Sequence, residues 1–202
     1  MYGFSKEEVK LFKSLNNPKK IQDFINKIPI NKEPEGDTCI SPKQVLLQNR
    51  AHCIEGAMLA ATIFRFHNQQ PLLLDLTSNP KDFDHVVAPF NKDGYWGAIS
   101  KTNHAVLRYR EPVYKTIREL VLSYFHEYFL DNGKKTLRTY SMPVNLSKFD
   151  NKNWMTSEKN VWFIAQHLVN VKHYPIVNKK QIHFLRKAEP IEIEAGKIIE
   201  WK

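Results

Sequence analysis

The side chains with the clearest chemical potential are a thiol and an imidazole. Cys53 stands at the start of a helical stretch, AHCIEGAMLAATIFRFH, over residues 51–67. A helix N-terminus stabilises negative charge, so a thiol placed there ionises more readily and becomes a nucleophile. Away from such a setting, free Cys is a small buried hydrophobe. His85 follows thirty-two residues later and begins the apolar run DHVVAPF. A Cys at a helix start and a His on a strand packed against that helix can meet as nucleophile and base. His52, directly before Cys53, either tunes the thiol or caps the helix, and capping is the expectation. Cys39 lies in or beside a loop and is expected to be inert. Cys39, His52, Cys53, His85 and His104 show neither Cys-x-x-Cys nor paired-His spacing, so neither a metal site nor a cofactor is expected.

The elements that must position these groups are legible from pattern. Ser5 and Glu8 form a capping box ahead of Val9, Leu11, Phe12 and Leu15. Asn17-Pro18 opens a second helix with Ile21, Phe24, Ile25 and Ile28 at helical spacing. Residues 29–38 read as a loop, and Ser41-Pro42 starts a short helix ending near Gln48. The 51–67 helix is rich in small residues (Ala51, Gly56, Ala57, Ala60, Ala61), which suits a central helix buried against a sheet. Residues 71–78, 84–90 and 95–100 read as three strands, the last two joined by the turn Asn91–Gly94. A helix is expected over Tyr114–Phe129, its aromatics in the core, and a short strand near 137–140 within an otherwise irregular 131–150. Ser157 is expected to cap a last helix, SEKNVWFIAQHLVNV, and the tail from Lys179 to add edge strands. The fold class is α+β: a long Cys-bearing helix on an antiparallel meander, with extra N- and C-terminal helices. One domain spans 1–202, with a helical hairpin at 1–27, a core at 28–130 and a basic extension at 131–202.

Composition excludes several classes. The chain has 202 residues, 42% hydrophobic and 25% charged, which is ordinary for a globular protein and unlike a disordered one. No run of eighteen apolar residues occurs, so no transmembrane helix is expected. MYGFSKEEVK lacks the basic-then-apolar order of a signal peptide, and two cysteines do not make a disulfide framework, so a cytoplasmic location is expected. The net charge is +9, and residues 131–202 carry thirteen Lys/Arg against seven Asp/Glu. Two basic–aromatic clusters, Arg108–Arg110 and residues 133–141, could hold phosphates and stack bases. A solvated basic face is the expected reading of both, and no nucleic-acid-binding motif accompanies them.

The order of loop with Ser-Pro, helix AHCIEGA, strand LLLDL, strand DHVVAPF, turn and strand GYWGAIS resembles the transglutaminase-like branch of the papain-like cysteine enzymes. The likeness runs from about Ile28 to Phe129. It implies a papain/transglutaminase-like core, with Cys53 as nucleophile and His85 as general base. The family's third residue is an Asp in the pattern Trp, three residues, Asp, one residue, Thr. Here the stretch reads Trp96-Gly97-Ala98-Ile99-Ser100-Lys101-Thr102, with Ser100 in the Asp position. Ser100, Asn103 and His104 are the candidates to orient His85, while Asp84 should point to the opposite face of a regular strand. Papain-like enzymes also place a Gln before the Cys as an oxyanion donor beside the Cys53 N–H. Gln48 or Gln44 would take that place here, though exposed helix-end amides are the expectation. The resemblance implies acyl transfer through a thioester, most simply amide or peptide hydrolysis, with a protein or peptide substrate. The competing expectation is an inactive relative that binds an acidic protein or nucleic acid, motivated by Ser100 and the basic C-terminal third.

Overall fold

A computed structural model describes residues 2–34 and 36–200. Met1, Glu35, Trp201 and Lys202, which fall in the readings of the N-terminus, the first loop and the tail, lie outside the described residues.

The N-terminal helices form where their caps place them. α1 (Lys6–Ser14) begins at the reciprocal Ser5–Glu8 box, with Ser5 N–H donating to the Glu8 carboxylate at 2.7 Å and Glu8 N–H to Ser5 Oγ at 3.2 Å. α2 (Pro18–Lys27) begins at Asn17, whose Oδ1 accepts from Lys20 N–H at 3.0 Å. α3 (Pro42–Gln48) is capped by Ser41, and α4 (Cys53–Phe66) follows it. Every residue of α4 from Ile54 to Phe64 is buried. A helix with no solvent face needs small residues where neighbours close in, and Gly56, Ala57, Ala60 and Ala61 supply them.

Among the described residues, seven antiparallel strands form one sheet: β1 (Leu72–Ser78), β2 (His85–Lys92), β3 (Tyr95–Ile99), β4 (Arg110–Tyr114), β5 (Leu137–Ser141), β6 (Val144–Asn145) and β7 (His173–Pro175). The order is β4-β3-β2-β1-β5-β7, and β6 also pairs with β1. Both faces are covered. Leu73, Val86, Ala88, Phe90 and Ile99 pack with α1, α2 and α4, and Leu74, Leu76, Val87 and Ala98 pack with α5 (Ile117–Phe125). This two-sided burial is why β1 reads as an unbroken apolar run rather than an alternating one.

Four expectations change. Residues 110–114 form β4, an edge strand that tolerates Pro112. α5 therefore starts later than Tyr114, at the Thr116 cap, and stops at Phe125. Ser157 caps no helix: its Oγ accepts from Lys159 N–H in a local turn, and α6 (Trp162–Asn170) begins after Val161 N–H bonds to the Cys39 carbonyl at 2.7 Å. The short strand expected near 137–140 is β5, which pairs with β1 in the middle of the sheet, but the rest of 131–150, expected to be irregular, also holds β6 and a 3-10 turn. The tail forms helices, α7 (Lys179–Phe184) and α8 (Pro190–Lys197), instead of edge strands, with one isolated bridge between His104 and Ile199. Asn178 caps α7 with Gln181 at its third position, and Pro190 opens the first turn of α8, and these local signals override the alternation of IEIE. No helix among the described residues is long and apolar enough to cross a membrane.

Candidate active site

Cys53 occupies the first turn of α4, where the backbone N–H groups have no acceptor within the helix. The chain enters that turn through His52, whose own N–H donates to the Glu55 carboxylate at 2.9 Å. His85 is the first residue of β2, the strand against which α4 packs, and is buried. The two elements converge so that the His52 and His85 imidazoles both act on the thiol. Burial alone would raise the thiol pKa, but the bonds and positive potential of the two imidazoles outweigh it and pull Cys53 down to about 5.

The two imidazoles are held differently. His85 Nε2–H donates to Ser100 Oγ at 2.8 Å, and the Ser100 hydroxyl donates onward to the Leu107 carbonyl at 2.5 Å. Ser100 is itself clamped by Gln22 on α2, which accepts from Ser100 N–H at 3.0 Å and donates to its carbonyl at 2.8 Å. The hydroxyl thus fixes the ring and its tautomer without bringing a charge.

His52 sits among oxygens. Its Nε2–H donates to the Thr38 carbonyl at 2.9 Å, with Glu33 Oε1 at 3.2 Å and Glu55 Oε1 at 3.4 Å. Burial disfavours the charged ring, but the bond to the thiol and the Glu55 carboxylate outweigh it, and the pKa rises to about 9. Glu55 is fully buried, yet its oxygens accept from Asn31 Nδ2, Thr38 Oγ1, Ile40 N–H and His52 N–H at 2.8–3.1 Å. Such a shell is what allows a carboxylate to remain inside a protein.

The other sequence candidates lie apart. Asn103 is partly exposed and its carbonyl accepts from Glu200 N–H. His104 is exposed, with Nδ1 on the Gly196 carbonyl at 3.0 Å. The Gln48 amide is exposed, donating to Gln44 and accepting from Arg50 at the far end of α3, so both glutamines are engaged with each other. Asp84 accepts from Ser78 N–H at 2.7 Å. Cys39 is fully buried, and burial pushes its thiol up to about 12. A cavity of about 250 Å³ opens beside His85, lined in part by Asp82, Asp84, Tyr128 and Phe129. Among the described residues, no group of three His, Cys, Asp or Glu side chains is arranged to hold a metal ion.

Sequence reasoning missed Glu55, Glu33 and the Asp75–His173 pair. Asp75 on β1 lies within electrostatic reach of Cys53, and its carboxylate is 3.0 Å from His173 Nε2 on β7. Burial raises the Asp75 pKa, against the lowering effect of His173. The signal for Glu55 was present, since a carboxylate inside so apolar a helix must find donors. Glu33, Asp75 and His173 had none, because each comes from a separate segment. The arginines of the basic–aromatic clusters are engaged internally: Arg110 pairs with Glu127 and lies over the Tyr124 ring, Arg108 pairs with Glu200, and Arg138 donates to the Leu137 and Lys135 carbonyls.

Comparison with protein-family models and with curated proteins finds no match to this chain.

Proposed function

We propose that this chain is a cysteine-dependent acyl-transfer enzyme of the transglutaminase-like, papain-like type, acting on amide or peptide bonds with water as acceptor. The observation that carries the reading is the Cys53 thiol at the N-terminus of α4, with the His52 and His85 imidazoles acting on it and lowering its pKa to about 5. A thiol so arranged is ionised at neutral pH while solvent thiols are not. The antiparallel sheet, with His85 on the strand beside α4 and Ser100 just beyond the next one, supports the resemblance in the sequence.

In this mechanism the sulfur attacks the substrate carbonyl carbon and forms a C–S bond. The carbonyl electrons move to oxygen, where the Cys53 N–H is the expected oxyanion donor. The C–N bond then breaks, and the amine leaves with the proton that the sulfur gave up, carried by His85. Water attacks the thioester, His85 takes its proton, and the acid product departs as the proton returns to sulfur. Ser100 serves as a positioning residue that holds the His85 tautomer. It lacks the charge with which an Asp would stabilise the imidazolium.

The test is to incubate the protein with p-nitrophenyl acetate and with fluorogenic peptide amides, and to measure intact mass after rapid acid quenching. An acyl adduct on Cys53, with release of product that is lost in Cys53→Ala, is expected. A folded wild-type protein that forms no adduct with either substrate class would overturn the reading. It would favour a binding protein for an acidic partner, tested next by salt-dependent retention on an anionic column.

A further inference from the structure

We infer that His52 is a second catalytic imidazole of the site, and that it holds the thiol proton in the resting protein so that Cys53 is a thiolate before His85 acts. This rests on the acyl-transfer reading of the same site.

The argument is the difference between the surroundings of the two rings. His52 Nε2 faces three oxygens, the Thr38 carbonyl at 2.9 Å and the carboxylates of Glu33 and Glu55 at 3.2 and 3.4 Å. All are acceptors, so Nε2 carries a hydrogen, and two negative charges within ion-pair distance favour a second proton on the ring. Nδ1 is the atom left to face the sulfur. His85 Nε2 faces only the neutral Ser100 hydroxyl, whose own hydrogen goes to the Leu107 carbonyl. The raised pKa of His52, about 9, runs the same way.

The carboxylates on the His52 ring favour its charged form, while Asp75, a like charge to the thiolate, works against it. Glu33 comes from the loop before α3 and Glu55 from α4 itself. Asp75 on β1 acts on Cys53, and Cys39, with its thiol raised to about 12, is neutral at physiological pH. Glu33 also holds a left-handed backbone, φ 51°, which an L-residue adopts at a cost of about 1 kcal/mol. The loop keeps this conformation with the Glu33 carboxylate on the ring and accepting from Thr38 N–H at 2.7 Å.

The proton transfer is simple. The S–H proton passes to His52 Nδ1, leaving a thiolate and an imidazolium. This changes the single-histidine scheme in one respect. The proton that leaves with the amine comes from His52; His85 takes the proton of the attacking water, and as the acid product departs and the sulfur is freed that proton passes back to His52, restoring the resting pair.

The experiment is the pH dependence of iodoacetamide alkylation, in a Cys39→Ser background, for the parent, His52→Gln, His85→Asn and Glu33→Gln, with turnover of an amide or ester measured alongside. In the parent, the thiol is expected to titrate well below the free value of about 8.5. His52→Gln should raise the thiol pKa by about two units or more, and Glu33→Gln, on an accessible loop that does not threaten folding, by a smaller amount in the same direction. His85→Asn should keep an acidic thiol but lose turnover. If His52→Gln and Glu33→Gln leave the thiol acidic while His85→Asn does not, His85 holds the proton; the inference then falls and the acyl-transfer reading stands. An ordinary thiol pKa in the parent would overturn both.

Discussion

Gly56 lies one turn after Cys53, and replacing it tests whether the close approach of α4 to the sheet holds the site together. A Cβ built at Gly56 would sit 2.5 Å from Lys101 Cβ and 2.9 Å from Lys101 Cγ, where contacting carbons need about 3.5–4.0 Å. The strain falls on atoms next to the backbone, not on a loose side-chain end. Lys101 is 2% exposed, its ammonium donates to the Ile28 carbonyl at 2.5 Å, and Ser100 beside it is clamped on both sides by Gln22. Ala in place of Gly inside a helix would ordinarily stabilise by about 1 kcal/mol. Overpacking costs about 1–3 kcal/mol, and a backbone-anchored clash near 1 Å belongs at the upper end. Gly56→Ala should therefore destabilise by about 2 kcal/mol, a fall in Tm of roughly 4–8 °C for a domain of this size. Urea and thermal unfolding followed by circular dichroism measure this directly. Lys101→Gly removes both clashing atoms, so in that background Gly56→Ala should become neutral or stabilising by up to about 1 kcal/mol. The clash also pushes the Cys53 end of α4 away from the Ser100 end of β3, so alkylation of Cys53 should slow in Gly56→Ala. A Gly56→Ala protein as stable as its parent would refute the reasoning.

Further outcomes follow from the same geometry. Glu55→Gln turns an amide N–H₂ towards groups that are already donors; two buried bonds are lost at about 1–3 kcal/mol each, and a fall of about 3 kcal/mol in unfolding free energy is expected in urea titrations. Cys53 should alkylate at a nearly constant rate between pH 6 and 8, because a thiol lowered to about 5 is already ionised there, whereas an ordinary thiol would speed up by roughly a hundredfold over two units. Cys39, raised to about 12 by burial, should react only after unfolding, which peptide mapping after a pulse of reagent would show. Ser100→Ala frees the His85 ring, so turnover should fall by roughly 10–100-fold while the thiol stays acidic, since His52 still holds the proton; a thiol pKa that returns to the ordinary range in this variant would place the proton on His85.

What the chain determined by itself is local. Capping pairs such as Ser5–Glu8 and Asn17–Pro18, the small-residue helix carrying Cys53, and the β1-to-β3 run with its turn at Asn91–Gly94 can all be read in order, because each depends on neighbours a few residues away. Short-range competition produced the misreadings: β4 was hidden by Pro112 and by the helical pattern after Tyr114, and the IEIE alternation of the tail yielded to the caps of α7 and α8. The charge around the thiol was decided by tertiary structure. His52 is the N-cap of α4, as its position suggests, but nothing adjacent shows that Glu33 and the Thr38 carbonyl fold back onto its ring. Ser100 was one of several candidates until the β2–β3 register and the bend of residues 100–107 brought its hydroxyl between His85 and Leu107. A pKa depends on distances in space at low dielectric, and those distances come from segments that the sequence keeps apart.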